Sequence, residues 1–176
     1  MDYLHHYDSP LGAITVASDG ASVTGLWFDG QKYYGSTLGP AREEKNLPIF
    51  AQTDRWLDLY FSGKEPDFTP PVYVHTTVFR GSVFEVLLTI PYGKTMTYGQ
   101  IAQLVSKEKR IALRSARAVG GAVAHNPISL LIPCHRVVGA DGSLTGYAGG
   151  IERKIKLLEL EKADLSAFGR YKEGAV

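Results

Sequence analysis

Cys134 lies in the run Ile132-Pro133-Cys134-His135-Arg136-Val137. A thiol attacks only as its thiolate, and a neighbouring imidazole or guanidinium favours that form. His135 and Arg136 offer one of each. Pro133 biases the residue before it toward extended backbone and so fixes the entry into the segment. A nucleophile, a candidate base and a rigid approach are what covalent catalysis requires. Side chains adjacent on a strand point to opposite faces, so contact between Cys134 and His135 requires a turn or a bridging water. The competing reading is an inert buried cysteine, the common fate of an isolated one.

A base needs a group to orient it, and the last helix supplies a candidate. On a wheel of about 100° per residue, Ile151, Ile155, Leu158 and Leu157 bound an apolar arc. Glu161 falls inside that arc, whereas Glu152 and Glu159 fall outside it. Lys154 lands on the arc as well. A buried carboxylate needs a partner, and His135 is the natural one. The alternative is a frayed helix end with Glu161 in water.

Elements must hold these groups in place. Asp2–Tyr7, Ala13–Ala17 and Val23–Phe28 read as strands, with turn signals at Ser9-Pro10-Leu11-Gly12 and Asp19-Gly20. Residues 30–48 read as loop. Phe50–Phe61 reads as a helix with Gly63 just past its end. Residues 64–77, with Pro66, Pro70 and Pro71, are the candidate interdomain linker. Phe79, Val83, Leu87 and Ile90 repeat at helical spacing up to Pro91. Thr97 and Gln100 fit a capping box that opens a second helix carrying Ile101, Leu104 and Val105. A polar, basic connection, Ser106–Arg114, leads to Ser115, which caps a third helix, Ala116–Ala124. Leu130-Leu131-Ile132 reads as a short buried run, and glycines 139, 142, 146, 149 and 150 as a tightly turned loop. Ile151–Leu160 is the final helix. No internal repeat is present.

Two short helices around one connection suggest a helix-turn-helix. The second is made of small residues: Ala116, Ala118, Gly120, Gly121, Ala122 and Ala124. Arg117 is its one long charged side chain. A smooth helix with one arginine suits close approach to a narrow groove and insertion of that arginine. Tight helix–helix packing with Arg117 at the rim is the alternative. Asn126 can end this helix in the left-handed conformation, or its amide can brace a neighbouring turn. Tyr98, opening the preceding helix, is either packing or a phenol at a phosphate-binding helix start. Tyr147, between glycines, is a loop anchor or a stacking platform.

The 176 residues carry 19 basic and 18 acidic side chains, a net charge of +1. That average hides a split. Residues 1–79 hold five basic and ten acidic residues, a balance of −5, while residues 80–176 hold 14 and eight, a balance of +6. A basic half opposite an acidic half is a prior for a polyanionic partner. Hydrophobic residues at 44% exclude a disordered chain. One cysteine excludes an internal disulfide and a cysteine-rich zinc site. The opening residues MDYLHHYDSP lack the basic and apolar regions of a secretory signal. A cytoplasmic chain is therefore expected, with no membrane association.

Pro133-Cys134-His135-Arg136-Val137, preceded by Ala116-Arg117-Ala118-Val119-Gly120 and Asn126-Pro127, resembles the O6-alkylguanine-DNA alkyltransferases, the methylated-DNA–protein-cysteine methyltransferases. Gly146-Tyr147-Ala148-Gly149-Gly150 and the helix leading to Glu161 are similar too. The resemblance is strong over residues 79–162 and weaker toward the N-terminus. It implies that Cys134 takes an alkyl group from guanine O6 in one irreversible transfer. His135, with Glu161 behind it, would deprotonate Cys134 through a water. Asn126 would brace the active-site turn. Arg117 would enter the base stack in place of a flipped guanine. Tyr98 would rotate the 3′ phosphate and donate to guanine N3. Val137, Tyr147 and Ala148 would line the pocket, with the Ala148 N–H near O6. Carbonyls of Cys134 and Val137 would read the exocyclic amine. Minor-groove contacts are implied for Arg117, Tyr98, Gly99, Ala116, Gly120, Gly121 and Ala124.

The chain departs from the family pattern in places. Ser106–Arg114 is longer than the family's turn, and Lys107, Lys109, Arg110 and Arg114 could add phosphate contacts or alter the turn. Phe84 stands where many members carry Trp. The N-terminal zinc site of some members is not expected, because the one cysteine is already assigned. The tail after Lys162, ending Arg170–Val176, has no counterpart.

The expected fold is α+β: a small β-containing domain at residues 1–77, and a helical domain at 78–176 with helix-turn-helix and Pro-Cys-His-Arg site. The expected function is repair of O6-alkylguanine, and of O4-alkylthymine, in DNA, with one turnover per molecule. No cofactor and no metal are expected. The expected partner is double-stranded DNA containing alkylated guanine, bound by a monomer, with cooperative assembly on DNA compatible with it. Three rivals remain at this point: a module that binds the lesion without transfer, a DNA-binding regulator with a redox-sensing thiol, and a cysteine hydrolase. Cys134 argues against the first, and the small-residue helix is unexplained by the third.

Overall fold

The computed structural model describes residues 1–110, 112, 114–144 and 146–168. They form two units, Met1–His75 with Pro127–Leu131, and Thr76–Asn126 with Ile132 onward. The end of the tail, residues 169–176, lies outside the described residues. No helix among the described residues is long and apolar enough to cross a membrane.

The first unit is built on a mixed sheet in the order β3-β2-β1-β4, with β1 Asp2–Ser9, β2 Gly12–Ser18, β3 Val23–Phe28 and β4 Arg42–Glu44. Both predicted turns are present. Ser9 faces Gly12 across the first. At the second, the Asp19 carboxylate accepts from the backbone N–H groups of Ala21 and Ser22 at 2.9 and 2.8 Å. β4 was not expected within residues 30–48. It is three exposed charged residues paired parallel to the start of β1, and so has no apolar alternation for a sequence pattern to register.

The outer edge of β3 is covered by two later segments. Val23 bridges Val72 and Leu26 bridges Ile128. Residues three apart share an edge only because the ladder to β2 skips Thr24, a β-bulge that resets the alternation. Residues around Val72 therefore pair with the sheet, although their prolines read as linker. α1, Pro48–Phe61, starts with Pro48 in its first turn and buries Ile49, Phe50, Trp56, Leu57 and Tyr60. Ser62 caps its end, followed by Gly63 at φ 84°.

Among the described residues the second unit holds four α-helices: α2 Val78–Leu87, α3 Tyr98–Lys109, α4 Ala116–Ala124 and α5 Ile151–Leu160. Two short strands, β5 Met96–Thr97 and β6 Val137–Val138, pair in parallel. Ile101, Val105, Val119 and Val123 are buried between the helices, each contributing about 1.5–3 kcal/mol through burial. The expected connection Ser106–Arg114 begins later than read. α3 continues through Ser106–Lys109 and ends at Arg110, which is left-handed at φ 51°. Lys107 and Lys109 favour a helix end, where cations meet the negative pole of the helix, so polarity there marks the last turn of a helix. A second cluster, Val138, Leu144, Ile155, Leu158 and Phe168, anchors α5.

Gly25 shows how tightly the sheet packs. A Cβ on Gly25 would lie 2.0 Å from the indole of Trp27, and Trp27 is fully buried. Gly25→Ala is therefore expected to destabilise the fold by about 1–3 kcal/mol. Urea unfolding reads this directly, and an unshifted midpoint would contradict the packing.

Candidate functional site

The capping box at Thr97 forms as the sequence predicts. The Gln100 N–H donates to Thr97 Oγ1 at 3.1 Å, and the Thr97 N–H donates to Gln100 Oε1 at 2.8 Å. This fixes Tyr98 as the first residue of α3. β5 ends at Thr97 and pairs residue for residue with β6, Met96 with Val137 and Thr97 with Val138. The pairing brings the start of α3 to the segment that follows Cys134.

Two glycines seat the Tyr98 ring. A Cβ on Gly120 of α4 would sit 3.8 Å from the ring, ordinary contact. A Cβ on Gly146 would sit 2.7 Å from the Tyr98 hydroxyl, and Gly146 has φ 94°. Space and backbone both demand glycine at 146. Burial pushes the Tyr98 phenol up from its usual value, and charge on Cys134 pushes it further. The phenol and the thiol thus share one electrostatic neighbourhood.

α4 carries the small residues as read, capped by Ser115, whose hydroxyl accepts from the Ala118 N–H at 3.1 Å. Val119, Ala122 and Val123 face inward. Ala116, Arg117 and Gly121 are exposed, and Gly120 and Ala124 are half-buried. The helix ends at His125, not at a left-handed Asn126. Asn126 instead takes the other role read for it. It is buried, and its Nδ2 donates to the Ile132 carbonyl at 2.9 Å. That bond ties the end of α4 to the residue before Pro133.

Cys134, His135 and Arg136 form one 3-10 turn, closed by the Val137 N–H donating to the Cys134 carbonyl. The turn is the geometry that adjacent cysteine and histidine side chains require to act together. Cys134 is buried. His135 is fully buried, and its Nε2 lies 2.6 Å from Glu161 Oε1. A carboxylate only accepts, so Nε2 carries the proton and Nδ1 is the nitrogen whose lone pair can take another. Burial lowers the His135 pKa; Glu161 opposes this, while Arg136 and Lys154 add to it.

Glu161 is buried at the first position past α5. Arg136 donates to it through two nitrogens, Nε to Oε2 at 2.9 Å and Nη2 to Oε1 at 3.0 Å. The Gly93 N–H donates to Oε2 at 3.0 Å. With His135, each carboxylate oxygen accepts two of these hydrogen bonds. Burial alone would raise the Glu161 pKa. Hydrogen bonds and charge from His135 and Arg136 outweigh burial and hold it well below the usual carboxylate range. The third arm of Arg136, Nη1, donates to the Ile90 carbonyl at 2.7 Å.

The remaining predicted residues lie on the same unit. Val137 and Tyr147 are buried, Ala148 and Gly99 half-buried. The Tyr147 ring lies where a Cβ on Gly149 would be, 2.6 Å away. Three participants were missed or misread. Arg136 was read only as a neighbour of the thiol, yet it clamps Glu161. Gly93 was not singled out, although Pro91-Tyr92-Gly93 after a helix is a turn signal for positive φ, here 73°. Lys154, noted only as sharing the apolar arc, is 1% exposed.

Residues 78–163 match the family described as 6-O-methylguanine DNA methyltransferase, DNA binding domain, and residues 3–74 match its ribonuclease-like domain. The chain is 43% identical over 162 residues to a methylated-DNA–protein-cysteine methyltransferase of Mycobacterium leprae, covering 92% of this chain and 93% of the relative. It is 38% identical over 161 residues to one of Haemophilus influenzae, covering 91% and 86%. Among solved structures, that of Mycobacterium tuberculosis OGT in complex with DNA superimposes with a TM-score of 0.80 at 38% identity, covering 95% of this chain and 99% of that one.

The Glu161 geometry sets a pH dependence. Its folded pKa is depressed, so its stabilising effect is present above the unfolded value of about 4.3 and is lost as pH falls below it. Glu161→Gln leaves the half-buried Arg136 without its counter-charge and should cost about 3 kcal/mol at neutral pH. The gap between parent and variant should narrow as pH falls below the ordinary carboxylate range. Urea midpoints across the acid range check this, and a gap independent of pH would contradict the assignment.

Proposed function

The chain belongs to the methylated-DNA–protein-cysteine methyltransferase family, and from that premise we propose that it repairs alkylated guanine in double-stranded DNA by moving the alkyl group to Cys134. The observation that carries this reading is the 3-10 turn that puts a buried thiol beside a histidine held by a buried glutamate. O4-alkylthymine is a second substrate, and the acting species is a monomer. DNA binding and transfer both belong to residues 78–176.

His135 Nδ1 accepts the Cys134 proton through a water and passes it to solvent. The thiolate attacks the alkyl carbon, the S–C bond forms and the C–O6 bond breaks. The guanine then takes a proton at N3 from the Tyr98 hydroxyl, and the phenolate regains one from solvent. Charge on Cys134 disfavours phenolate at Tyr98, so consuming that charge makes Tyr98 a better donor as the leaving group forms. The product thioether is neutral and is not displaced by thiol exchange, so each molecule reacts once.

On the DNA side, Arg117 projects from the smooth exposed face of α4 and fills the space of the flipped base. Tyr98 turns the 3′ phosphate. Gly99, Ala116, Gly120, Gly121 and Ala124 allow the groove to come close, since none has a side chain longer than methyl. Val137, Tyr147 and Ala148 line the guanine pocket, with the Ala148 N–H toward O6. Asn126 acts as a positioning residue through Ile132. The surplus of positive charge in this half fits contact with phosphates, with affinity that falls as salt rises.

Incubation with duplex DNA carrying O6-methylguanine, followed by peptide mass mapping, tests the reading. One added methyl on Cys134 is expected, and binding with no added mass would overturn it. Arg117→Ala should slow repair of duplex DNA about ten-fold or more, since unstacking a base costs a few kcal/mol. Reaction with the free base O6-benzylguanine should be nearly unaffected. Equal losses on both substrates would refute insertion of Arg117.

A further inference from the structure

Terminal segments keep order only where something ties them down, and residues 163–168 are tied down at both ends. α5 closes with a Schellman motif. The Lys162 N–H donates to the Glu159 carbonyl and the Ala163 N–H to the Leu158 carbonyl, both at 2.9 Å. Lys162 is left-handed at φ 55°, which turns the chain back toward the helix. Ala163 and Leu165 then pack on the apolar cluster that includes Leu158. Two turns follow. The Ser166 N–H donates to the Asp164 carboxylate at 3.0 Å, and the Phe168 N–H donates to the Leu165 carbonyl at 3.0 Å. They deliver Phe168 into the same cluster, where it is 8% exposed. Neither the transfer step nor the DNA contacts use this segment.

The segment meets the glycine-rich loop at residues 139–150. A Cβ on Gly142 would lie 2.9 Å from the Ala167 carbonyl oxygen and 3.7 Å from Phe168 Cα, and Gly142 has φ 80°. Only glycine lets the two backbones pass this closely. Val138, just before the loop, and Leu144, within it, share the cluster with Phe168. The far end of the loop is held separately. Arg153 Nη1 donates to the Gly149 carbonyl at 3.1 Å, and the Gly150 N–H donates to the Tyr147 carbonyl at 3.0 Å. Between the two holds lies Gly146, where a side chain would collide with the Tyr98 hydroxyl. Tyr147 and Ala148 follow it.

The thiol turn is held by other means. Asn126 donates to the Ile132 carbonyl, His135 and Arg136 donate to Glu161, and β6 pairs with β5. None of these contacts involves residues 163–168. A side chain that supports one half of a site and not the other separates recognition from chemistry.

We propose that Phe168 is a positioning residue for guanine recognition: it seats the segment after α5 against Gly142 and Leu144, and so holds the loop that presents Tyr147 and Ala148. The proposal rests on the reading of Tyr147 and Ala148 as the lining of the guanine pocket and of Cys134 as the reacting thiol.

Alkylation of Cys134 by free O6-benzylguanine, followed by intact mass over a range of base concentrations, tests it. Phe168→Ala should raise the half-saturating concentration about ten-fold and leave the limiting rate within about two-fold, the mark of lost binding rather than lost transition-state stabilisation. Iodoacetamide needs no guanine pocket and should alkylate Cys134 at the parent rate. Phe168→Leu keeps an apolar anchor and should recover most of the half-saturating concentration. An unchanged half-saturating concentration in a folded Phe168→Ala protein would overturn the proposal. Equal losses with iodoacetamide and O6-benzylguanine would overturn it too, because they mark a general loosening of the site. In the parent, the hydrogen-bonded amides of Gly139, Gly150 and Phe168 should exchange with protection within about ten-fold of one another, as one opening unit. A Phe168 amide that exchanges far faster than the other two would overturn the proposal without any variant. Failure of the parent to gain benzyl mass on Cys134 would instead remove the reading beneath it.

Discussion

A carboxylate with no solvent contact has to be satisfied bond by bond, and Glu161 is. Hydrogen bonds reach it from Gly93, His135 and Arg136, on two stretches of chain far from it in sequence. Losing any one leaves charge or a donor stranded in a medium that penalises both. The arrangement therefore acts as a lock on three segments: the turn after α2, the 3-10 turn of Cys134, and the end of α5. Glu161 reaches its place because Ile155 and Leu158 pack α5 into the cluster with Val138, Leu144 and Phe168. Ordinary hydrophobic packing thus determines where a charged group lies, and the charged group determines which imidazole nitrogen faces the chemistry.

The second constraint is steric. Tyr98 lies between Gly120 and Gly146: a Cβ at Gly146 would clash with its hydroxyl, while one at Gly120 would make ordinary contact with its ring. The small residues of α4 consequently do two jobs. Toward the interior, Gly120 admits the phenol; toward solvent, Ala116 and Gly121 leave the helix smooth around Arg117. The capping box at Thr97 and the two-residue pairing of β5 with β6 carry little energy alone. They matter because they set where the phenol begins and how near it lies to the thiol.

Much of this was legible in the sequence where one residue type answers to one physical need. Thr97 with Gln100, Ser115 before a helical run, and Asp19-Gly20 between apolar strands each behave as their local chemistry requires. Glu161 could be placed inward because helical periodicity is rigid over ten residues. Long-range matches were less legible. The clamp of Arg136 on Glu161, 25 residues apart, depends on how α5 docks, which periodicity does not specify. β4 pairs through its backbone and leaves no side-chain pattern. The pairing of residues 71–73 with β3 depends on a bulge at Thr24, so proline content alone suggested a linker. The length of α3 was underestimated because its last turn is charged, and of the two roles open to Asn126 only docking of the chain selects the amide contact to Ile132. Lys154 was visible on the apolar arc, but its bond to the Val137 carbonyl depends on how α5 docks.

The central claim is that a single buried thiol, in a turn whose histidine is held by a buried glutamate, accepts one alkyl group and is then spent. Titrating a fixed amount of protein with increasing O6-methylguanine duplex DNA, and counting the lesions repaired at completion, measures this most directly. The account predicts a sharp equivalence point at one lesion per molecule, with no further repair on longer incubation. Continued repair beyond one equivalent would contradict it.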